Sequence, residues 1–454
     1  MRIIIIIIIL FFQIQITIGQ SWEQMGFGLN QNIRTMQVDS INNRLFVGGA
    51  FVLADSNIVG CMAQWDSTGW SNMQYGNMNS MFSNCGQLLN MTIHQNNLHV
   101  VAAFHQYNQV KLLGRWNGTS WDSLSAITGT CRGLYSYGDT LYVLGENLTT
   151  DSFSNQRILG WDGTQWFSVI NESFASGWII TAHWYKGKFY IGGTFKTSSG
   201  IEAFAVVNGQ TLQAVGSGFA GGWTAVGDLV IYQDDLYVGG DFSKAAGNPG
   251  NNIARWNGNQ WFDVGNGTGG VNFPSVLDMD IHNGYLYVCG SFKTAGDIPA
   301  EKIARWNGQN WCGLGSNIQG TVTNIEFYQD TLIAGLLYGN IDGINYNYIA
   351  KWNRGDYVDT CTNLIDNTDE VWQDAEDDYS LTIYPNPTSD YLQITTQKPL
   401  NEVQLYNTLG QQVYQQQGLQ QEQVQIDVSH LPKGMYIVRV RQGEVWGSEQ
   451  VVIQ

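Results

Sequence analysis

The stretch WNGQNW, from Trp306 to Trp311, is the element of this sequence that decides its fold. Two tryptophans frame a turn, and the Asn-Gly between them favours a tight β-hairpin because both residues accept a positive φ. The pattern recurs clearly at Trp65–Trp70, Trp116–Trp121, Trp161–Trp166 and Trp256–Trp261, with degenerate copies at Val207–Leu212 and Trp352–Tyr357. The seven starts lie 45 to 51 residues apart, so the sequence is a tandem repeat.

A second element lies roughly 20 residues before each hairpin, as expected if both belong to the same repeat. It is an aliphatic or aromatic run that mostly ends in glycine, starting at Leu45, Leu98, Leu141, Phe189, Leu236, Leu286 and Leu332. A first strand is predicted to end four residues before each run, at Ile41, His94, Tyr137, Tyr185, Tyr232, His282 and Tyr328. Each repeat therefore reads as four short strands.

Four strands per repeat, seven times over, predict an all-β fold: a seven-bladed β-propeller over residues 20–362. Trp22 begins a segment that resembles the strand after the second Trp of other repeats, yet no first half precedes it. Tyr357 stands where the last repeat should have that second Trp. We expect the strand at Trp22 to complete the last blade and to remove an exposed sheet edge.

The repeat resembles those of kelch-like propellers and of galactose-oxidase-type central domains, and the GGxF…IAxWNGxxW…LGxG repeats of secreted surface proteins. This resemblance covers about residues 20 to 360. It implies the fold, but propellers carry many unrelated activities. A copper site like that of galactose oxidase cannot be placed on the Tyr, His and Cys residues of this chain.

The amino-acid composition limits the classes of partner that this protein is expected to have. The chain has 38 acidic and 21 basic residues, a formal charge of −17, which would repel a nucleic acid backbone. Met1 and Arg2 precede an apolar run that ends before small residues near Gly19, as in a signal peptide over 1–19. No later apolar run is long enough for a membrane helix, so no integral membrane segment is expected in the mature chain.

The six cysteines suit an oxidising compartment but are too few for a disulfide framework. Cys85 and Cys131 both precede the first strand of consecutive repeats, so a bridge between them is one interpretation. Buried free thiols are the alternative. No cysteine lies in a C-x-x-C pair, which argues against a zinc site.

The C-terminal part differs from the repeat. Residues 363–378 form an acidic segment that reads as a solvated linker, and residues 379–454 alternate as strands, predicting a small immunoglobulin-like β-sandwich. Its motifs contain Pro385, Asn386, Pro387, Gly410 and Gly434. They resemble the C-terminal sorting domain of type IX secretion cargo, which implies export from a Gram-negative bacterium through the periplasm, with the type IX machinery as partner. Release and surface attachment both remain open.

The sequence offers no recognisable catalytic or metal site, and no cofactor is expected. His94 and His282 occupy a repeat position that Tyr holds elsewhere, and no metal-binding histidine spacing occurs. Asp66, Asp122 and Asp162 lie in or beside the hairpin turns, where Asp is first a turn residue. Asp278 and Asp280 alternate on one strand and are the candidates for a carbohydrate-active enzyme with channel carboxylates.

Residues that break the repeat are the better candidates for function. The connections from the second to the third strand and from the fourth to the next first strand are longer and share one face, where binding residues are expected. The candidate ligand-binding residues on or near the second kind of connection are Phe82, Trp178, Trp223, Phe273, Arg34 and Arg132. Such rings with polar neighbours could stack on sugars or cap the seams between blades. The sequence thus predicts a secreted or surface-displayed protein that binds a glycan or a surface protein, with the carbohydrate-active enzyme as alternative.

Overall fold

The computed structural model describes residues 22–73, 85–104, 110–124, 127–216, 218–243, 251–314, 317–352, 381–407, 412–442 and 445–454. The expected signal peptide and acidic linker lie outside these residues. The chain divides into two compact units, Met1–Asp366 and Asn367–Gln454. The described residues form strands and turns, and they include no helix long and apolar enough to cross a membrane.

The strands of the first unit are short. In chain order they begin with β1 (Trp22–Gln24), β2 (Ile33–Asp39), β3 (Arg44–Gly49), β4 (Leu53–Ala54), β5 (Asn57–Ile58), β6 (Met62–Asp66), β7 (Gly69–Ser71), β8 (Cys85–His94), β9 (Asn97–Phe104), β10 (Val110–Trp116), β11 (Trp121–Ser123), β12 (Thr128–Tyr137), β13 (Thr140–Thr149), β14 (Gln156–Trp161) and β15 (Trp166–Ser168).

The remaining strands of the first unit follow in chain order. They are β16 (Phe174–Ser176), β17 (Ile179–Tyr185), β18 (Lys188–Thr197), β19 (Glu202–Asn208), β20 (Thr211–Ala214), β21 (Ala220–Tyr232), β22 (Asp235–Ser243), β23 (Ile253–Trp256), β24 (Trp261–Phe262), β25 (Thr268–Gly269), β26 (Ser275–His282), β27 (Tyr285–Ser291), β28 (Thr294–Ala295), β29 (Ile298–Pro299), β30 (Ile303–Trp306), β31 (Trp311–Gly313), β32 (Ile318–Tyr328), β33 (Thr331–Ile341) and β34 (Ile349–Trp352).

Within the described residues, each repeat forms one antiparallel sheet of four strands, and we number these sheets in chain order. They are sheet 1 (β2-β3-β6-β7), sheet 2 (β8-β9-β10-β11), sheet 3 (β12-β13-β14-β15), sheet 4 (β17-β18-β19-β20), sheet 5 (β21-β22-β23-β24), sheet 6 (β26-β27-β30-β31) and sheet 7 (β32-β33-β34-β1). The strand β16 is added to sheet 4, and two small sheets, β4-β5 and β25-β28-β29, lie in connections. The sequence pattern did not predict these additions.

The first and last described strands of the first unit, β1 and β34, pair in sheet 7. Trp22 of β1 lies opposite Trp352 of β34, with ring centroids 5.0 Å apart, and is only 5% exposed. The hydroxyl of Tyr346 donates a hydrogen bond to the Trp22 carbonyl at 3.0 Å. The prediction that the strand at Trp22 completes the last sheet is confirmed.

The first strands of the sheets, which we call the inner strands, contact one another in sequence. These inner strands are β2, β8, β12, β17, β21, β26 and β32. Each contacts the inner strand of the next sheet, and β32 of sheet 7 contacts β2 of sheet 1. The order of contacts is therefore cyclic.

Apolar clusters fill the spaces between consecutive sheets. One cluster joins Leu45 and Val47 of sheet 1 to Ile333 and Ile349 of sheet 7. Another joins Tyr287 and Ile303 of sheet 6 to side chains of sheet 7. Burial of both faces of each sheet explains the long apolar runs ahead of the glycines, because strands covered on both sides are continuously hydrophobic.

Tryptophan pairs lie at the outer edge of six of the seven sheets, and sheet 4 has Val207 and Leu212 there. In the five complete Trp-turn-Trp hairpins the paired rings lie 5.1 to 5.3 Å apart. The second Trp also reaches the preceding sheet: Trp311 Nε1 donates to the Val264 carbonyl at 2.8 Å, and Trp70 Nε1 to the Met25 carbonyl at 2.7 Å. These large rings therefore serve packing within and between sheets.

Two sequence expectations need correction. The first strand of sheet 1 ends at Asp39 rather than Ile41, because the Asp39 carboxylate accepts the Asn42 amide at 3.1 Å and starts the turn. The Cys85–Cys131 bridge is wrong: Cys131 is a buried free thiol, as is Cys289, whereas Cys61 and Cys312 are disulfide-bonded. Spacing along the repeat does not determine which thiols approach each other.

The second unit is an antiparallel sheet of its own. Its strands are β35 (Leu381–Tyr384), β36 (Tyr391–Asn407), β37 (Gln412–Asp427), β38 (Gly434–Gln442) and β39 (Val445–Ile453). Long β36 pairs with β35 and β37 in its first half and with β37 and β38 in its second half. Apolar side chains such as Leu392, Leu405, Val438 and Val451 form its core.

Candidate functional site

Every inner strand contains a β-bulge at the same place. One residue is skipped in the pairing with the second strand, so two residues of the inner strand face one partner. The skipped residues are Arg34, Leu89, Arg132, Ile180, Gly227, Leu277 and Thr323. Because bulges re-aim side chains and these residues differ from sheet to sheet, the bulges are the first place to look for function.

In five of the seven sheets a glycine of the second strand lies against the bulge, whereas Ala102 and Leu336 hold that position in sheets 2 and 7. A Cβ on Gly49, Gly193 or Gly240 would overlap a backbone carbonyl oxygen of the inner strand opposite: Asn32, Trp178 and Ala225, respectively. Only glycine allows this close approach of two backbones. The second glycine of the motif therefore accompanies the bulge in five of the seven sheets, and sequence reasoning used it only as a repeat marker.

Two of the predicted residues, Arg132 and Trp178, meet at the bulge of sheet 3. The Arg132 guanidinium lies over the Trp178 ring, 4.4 Å from its centroid, a cation–π contact between sheets 3 and 4. Burial, and then the nearby charge of Arg34, lower the pKa of Arg132. Arg34 is exposed at the corresponding bulge of sheet 1. The repeat thus aims two guanidinium groups at a common region.

Arg157, which sequence reasoning missed, supports this site. It is buried, pairs with Glu146 at 3.2 Å, and lies over the Phe174 ring at 4.9 Å. It also donates a hydrogen bond to the carbonyl of Gly177, the residue before Trp178. The Trp178 amide in turn donates to the Thr194 hydroxyl at 3.2 Å. The backbone that carries the Trp178 ring is therefore held on both sides.

The other predicted aromatic residues lie apart from this contact. Trp223 is 80% exposed and Phe273 is 71% exposed, and both come shortly before the bulges of sheets 5 and 6. Neither takes part in a core cluster of the described residues. Phe82 lies outside the described residues. Trp178 is half-buried, because Arg132 covers one face of its ring.

The two predicted channel carboxylates contact backbone amides. Asp278 accepts the Ile325 amide of the next inner strand at 2.8 Å, and Asp228, one sheet earlier, accepts the Met279 amide at 3.0 Å. Asn90 does the same for the Leu134 amide at 3.1 Å. All three residues immediately follow a bulge. Because the first strand is a sheet edge, its amides need such partners, so these carboxylates have a structural role.

A second position repeats this arrangement two residues later. Asp280 accepts the Phe327 amide, Glu326 accepts the Val38 amide, and the Tyr135 hydroxyl accepts the Trp184 amide at 2.9 Å. Burial raises the pKa of Asp280 to about 6 and that of Asp228 to about 7, and mutual repulsion adds to burial in raising the pKa of Asp278 and Glu326. These buried carboxyls therefore occupy recurring positions of the repeat rather than positions that depart from it.

The histidines pack against their neighbours. His94 Nδ1 lies 2.9 Å from the Ser136 hydroxyl, His183 Nδ1 lies 2.8 Å from the Trp184 carbonyl, and His282 stacks on Phe327 with ring centroids 3.9 Å apart. Burial lowers the pKa of each, so the rings are neutral at pH 7. In the described part of the chain, no group of three or more His, Cys, Asp or Glu side chains is placed to hold a metal ion. His105 lies outside it.

In the second unit the predicted sorting motif docks on the last strand. Tyr384-Pro385 and Asn386-Pro387 are cis peptides, and the Asn386 amide oxygen accepts the Val452 amide at 2.9 Å. Thr388 forms a further bridge with Ile453. Gly434 begins β38 opposite Ile453. Gly410 lies outside the described residues. The motif therefore ties the start of the unit to its C-terminal strand.

Comparison with known proteins identifies the second unit. The family model described as the secretion system C-terminal sorting domain matches residues 382–454. No curated protein matches the chain. Among solved structures, the extracellular domain of a hybrid two-component system protein from B. thetaiotaomicron is similar at 10% identity and a TM-score of 0.23, over 93% of this chain and 72% of that one.

A second solved structure is a protein of unknown function from Bacteroides thetaiotaomicron. It matches at 9% identity and a TM-score of 0.34, over 74% of this chain and 72% of the other. These similarities are too weak to carry an argument about the first unit. The match to the sorting domain is informative about export. The protein is cargo of the type IX secretion machinery and is exported to the cell surface or the extracellular space.

Proposed function

We propose that the first unit is a seven-bladed, kelch-like β-propeller in which each numbered sheet is one blade, and that the second unit is an immunoglobulin-like sandwich. The support for the propeller is the cyclic order of inner-strand contacts and the apolar clusters between consecutive sheets, including sheets 7 and 1. The support for the sandwich is β36, which pairs with β35 before Leu400 and with β38 after it, while β37 pairs with both halves.

The propeller presents a surface that binds a glycan. The observation that carries this proposal is the position of Trp223 and Phe273, which are exposed at the bulge ends of neighbouring inner strands and lie outside the core clusters. An exposed aromatic ring on a rigid strand can stack on the apolar face of a sugar with little loss of conformational entropy. Trp178 extends the same surface into sheet 4, and export to the cell surface gives it access to glycans.

A glycan-array screen of the purified chain, with parallel detection of released reducing sugars, tests this function. We expect binding without release, and we expect Trp223→Ala to weaken binding about 5- to 150-fold because one stacked aromatic ring contributes about 1–3 kcal/mol. Release of sugar would instead favour the enzyme alternative with Asp278 and Asp280. Binding to no glycan would contradict the proposal and leave a surface protein as the expected ligand.

Ile41 provides the matched control. It is 72% exposed, comparable to Trp223, but lies in the tight turn after β2, at the other end of the inner strand from the bulge. Ile41→Ala should leave both glycan binding and the melting temperature unchanged. Trp223→Ala should also leave the melting temperature unchanged, and a fall of many degrees would mean that the ring serves the fold.

A further inference from the structure

Six described arginines of the first unit can be compared by their partners. Four pair with a carboxylate: Arg44 with Asp39 at 3.2 Å, Arg115 with Asp122 at 2.8 Å, Arg157 with Glu146 at 3.2 Å and Arg255 with Asp235 at 3.4 Å. Within the residues that the structure describes, Arg34 and Arg132 form no such ion pair. In a chain of formal charge −17, two unneutralised guanidinium groups need an explanation.

Both exceptions occupy the bulge position. Arg34 is the skipped residue of β2 and Arg132 that of β12, and the single inner strand β8 lies between these two strands. The corresponding residue of β8 is Leu89, which contributes no charge. The fold therefore places two like charges near each other, close enough for Arg34 to affect the pKa of Arg132.

The Arg132 group is also fixed in place. Its flat face rests on Trp178, whose backbone is held by Arg157 and Thr194. Its Nε is buried and has no hydrogen-bond partner among the described residues. The nearest acidic neighbour that affects its charge, Glu146, is already paired with Arg157. A guanidinium that is held over a ring and has no carboxylate partner of its own is suited to a planar anion that accepts two hydrogen bonds.

We infer that Arg34 and Arg132, which both occupy the bulge position of an inner strand, bind the carboxylate of an acidic saccharide next to the Trp178 ring that Arg132 contacts. This inference rests on the proposed glycan-binding function and adds the substrate class, a uronic acid polymer or oligomer. The carboxylate neutralises two charges that the chain leaves unpaired, while the aromatic surface of Trp178 and Trp223 contacts the sugar rings. An anion is attracted here although the whole chain is acidic, because charges more than about 10 Å away are screened by salt.

The test uses pairs of probes that differ only in charge. Hexamers of galacturonic, glucuronic and mannuronic acid are compared with hexamers of galactose, glucose and mannose of the same linkages, by calorimetry on the full purified chain. We expect at least one uronate to bind about 10- to 100-fold more tightly than its neutral counterpart. The affinity should also fall as NaCl is raised, because the contact is ionic.

Substitutions then locate the contact. Arg132→Gln and Arg34→Gln should each reduce uronate affinity about 10-fold or more and leave the melting temperature unchanged. Arg115→Gln is the matched control, since Arg115 is paired with Asp122 on the hairpin side of sheet 2 and should not affect binding.

The outcomes separate this inference from the proposed function. If neutral hexamers bind as well as uronates, or if uronate binding survives both Arg substitutions, acid recognition is overturned while the glycan-binding function stands. If neither uronates nor neutral hexamers bind and the glycan array is also silent, both fall. If Arg132→Gln does not fold, Arg132 is needed for the fold. The effect of Arg34→Gln, at an exposed residue, on uronate binding would then decide whether acid recognition stands.

Discussion

Sheets 6 and 7 have the same four-stranded order, but their outer edges are connected differently. In sheet 6 a tight turn joins Trp306 to Trp311, whose rings lie 5.2 Å apart. In sheet 7 the corresponding pair, Trp352 and Trp22, comes from distant parts of the chain, and the rings lie 5.0 Å apart. The pair keeps its centroid separation without the turn, although its rings meet at 81° rather than 51°. Ring packing and strand pairing are therefore sufficient to define this edge.

The contact of the second Trp with the preceding sheet is also preserved. Trp311 donates to the carbonyl of Val264, three residues after Trp261 of sheet 5. Trp70 of sheet 1 donates to the carbonyl of Met25, three residues after Trp22 of sheet 7. The seam that closes the cycle therefore uses the same hydrogen bond as a seam within the repeat. Closure follows from repetition of one interface.

Removal of β1 should have the largest effect. Deleting residues 20 to 30 exposes the edge of β34 and removes the buried Trp22 and Met25. We expect the melting temperature to fall by at least about 10 °C, since loss of each large buried side chain costs about 2–5 kcal/mol. Differential scanning calorimetry measures this change.

The control for this deletion keeps the strand and removes only its surface ion pair. Glu23 and Lys351 lie opposite each other at 3.1 Å and are partly exposed. Replacing both by Ala should lower the melting temperature by less than about 2 °C. If the deletion has as small an effect as this control, β1 does not close sheet 7.

Single tryptophan substitutions compare the two edges directly. Trp311→Ala should reduce the free energy of unfolding by about 3–5 kcal/mol, because a buried ring and its hydrogen bond are lost. Trp22→Ala should cost at least as much, since no turn holds β1 in place. Urea denaturation followed by tryptophan fluorescence gives both values. A negligible cost for Trp22→Ala would show that the edge of sheet 7 does not need its ring.

Substitution of a buried carboxyl on an inner strand should have a smaller, pH-dependent effect on the melting temperature. Asp278 of sheet 6 has a raised pKa because of burial and neighbouring carboxyls, so its protonated form is the stable one in the folded chain. Its contribution to stability is present below about pH 4 and is lost as pH rises toward that raised pKa. Asp278→Asn keeps an acceptor for the Ile325 amide and should raise the melting temperature by about 3–6 °C at pH 8 and little at pH 4.

Asn90 of sheet 2 allows the reverse experiment. It holds the same repeat position and already accepts a backbone amide as a neutral group. Asn90→Asp should therefore lower the melting temperature at pH 8 and have little effect at pH 4. Equal effects of either substitution at both pH values would contradict a buried, protonated carboxyl at this position.

Local sequence patterns predicted much of the architecture. Asn-Gly between two tryptophans specifies a hairpin by itself, and the isolated strand at Trp22 was recognisable because the last repeat has Tyr357 where its second Trp is expected. The ends of six inner strands were predicted at the residues where the structure has them, from His94 to Tyr328. These features depend on neighbours a few residues apart, which the sequence displays directly.

The candidate site was less accessible to such reasoning. Arg34, Arg132 and Trp178 were selected because they depart from the repeat, but the stacking of Arg132 on Trp178 joins two sheets and has no local signature. The role of Arg157, which reaches the Gly177 carbonyl from β14, likewise depends on tertiary contact. The disulfide assignment failed for the same reason, since Cys131 is enclosed in the core.

The central claim is that β1 pairs with β34 and closes the cycle of sheets, and a designed disulfide tests it most directly. Glu23 and Lys351 are opposite residues of this pair, and such positions have Cα separations that suit a disulfide. Glu23→Cys combined with Lys351→Cys should yield a monomer in which peptide mapping finds residues 23 and 351 cross-linked. Two free thiols, or only links between chains, would contradict closure.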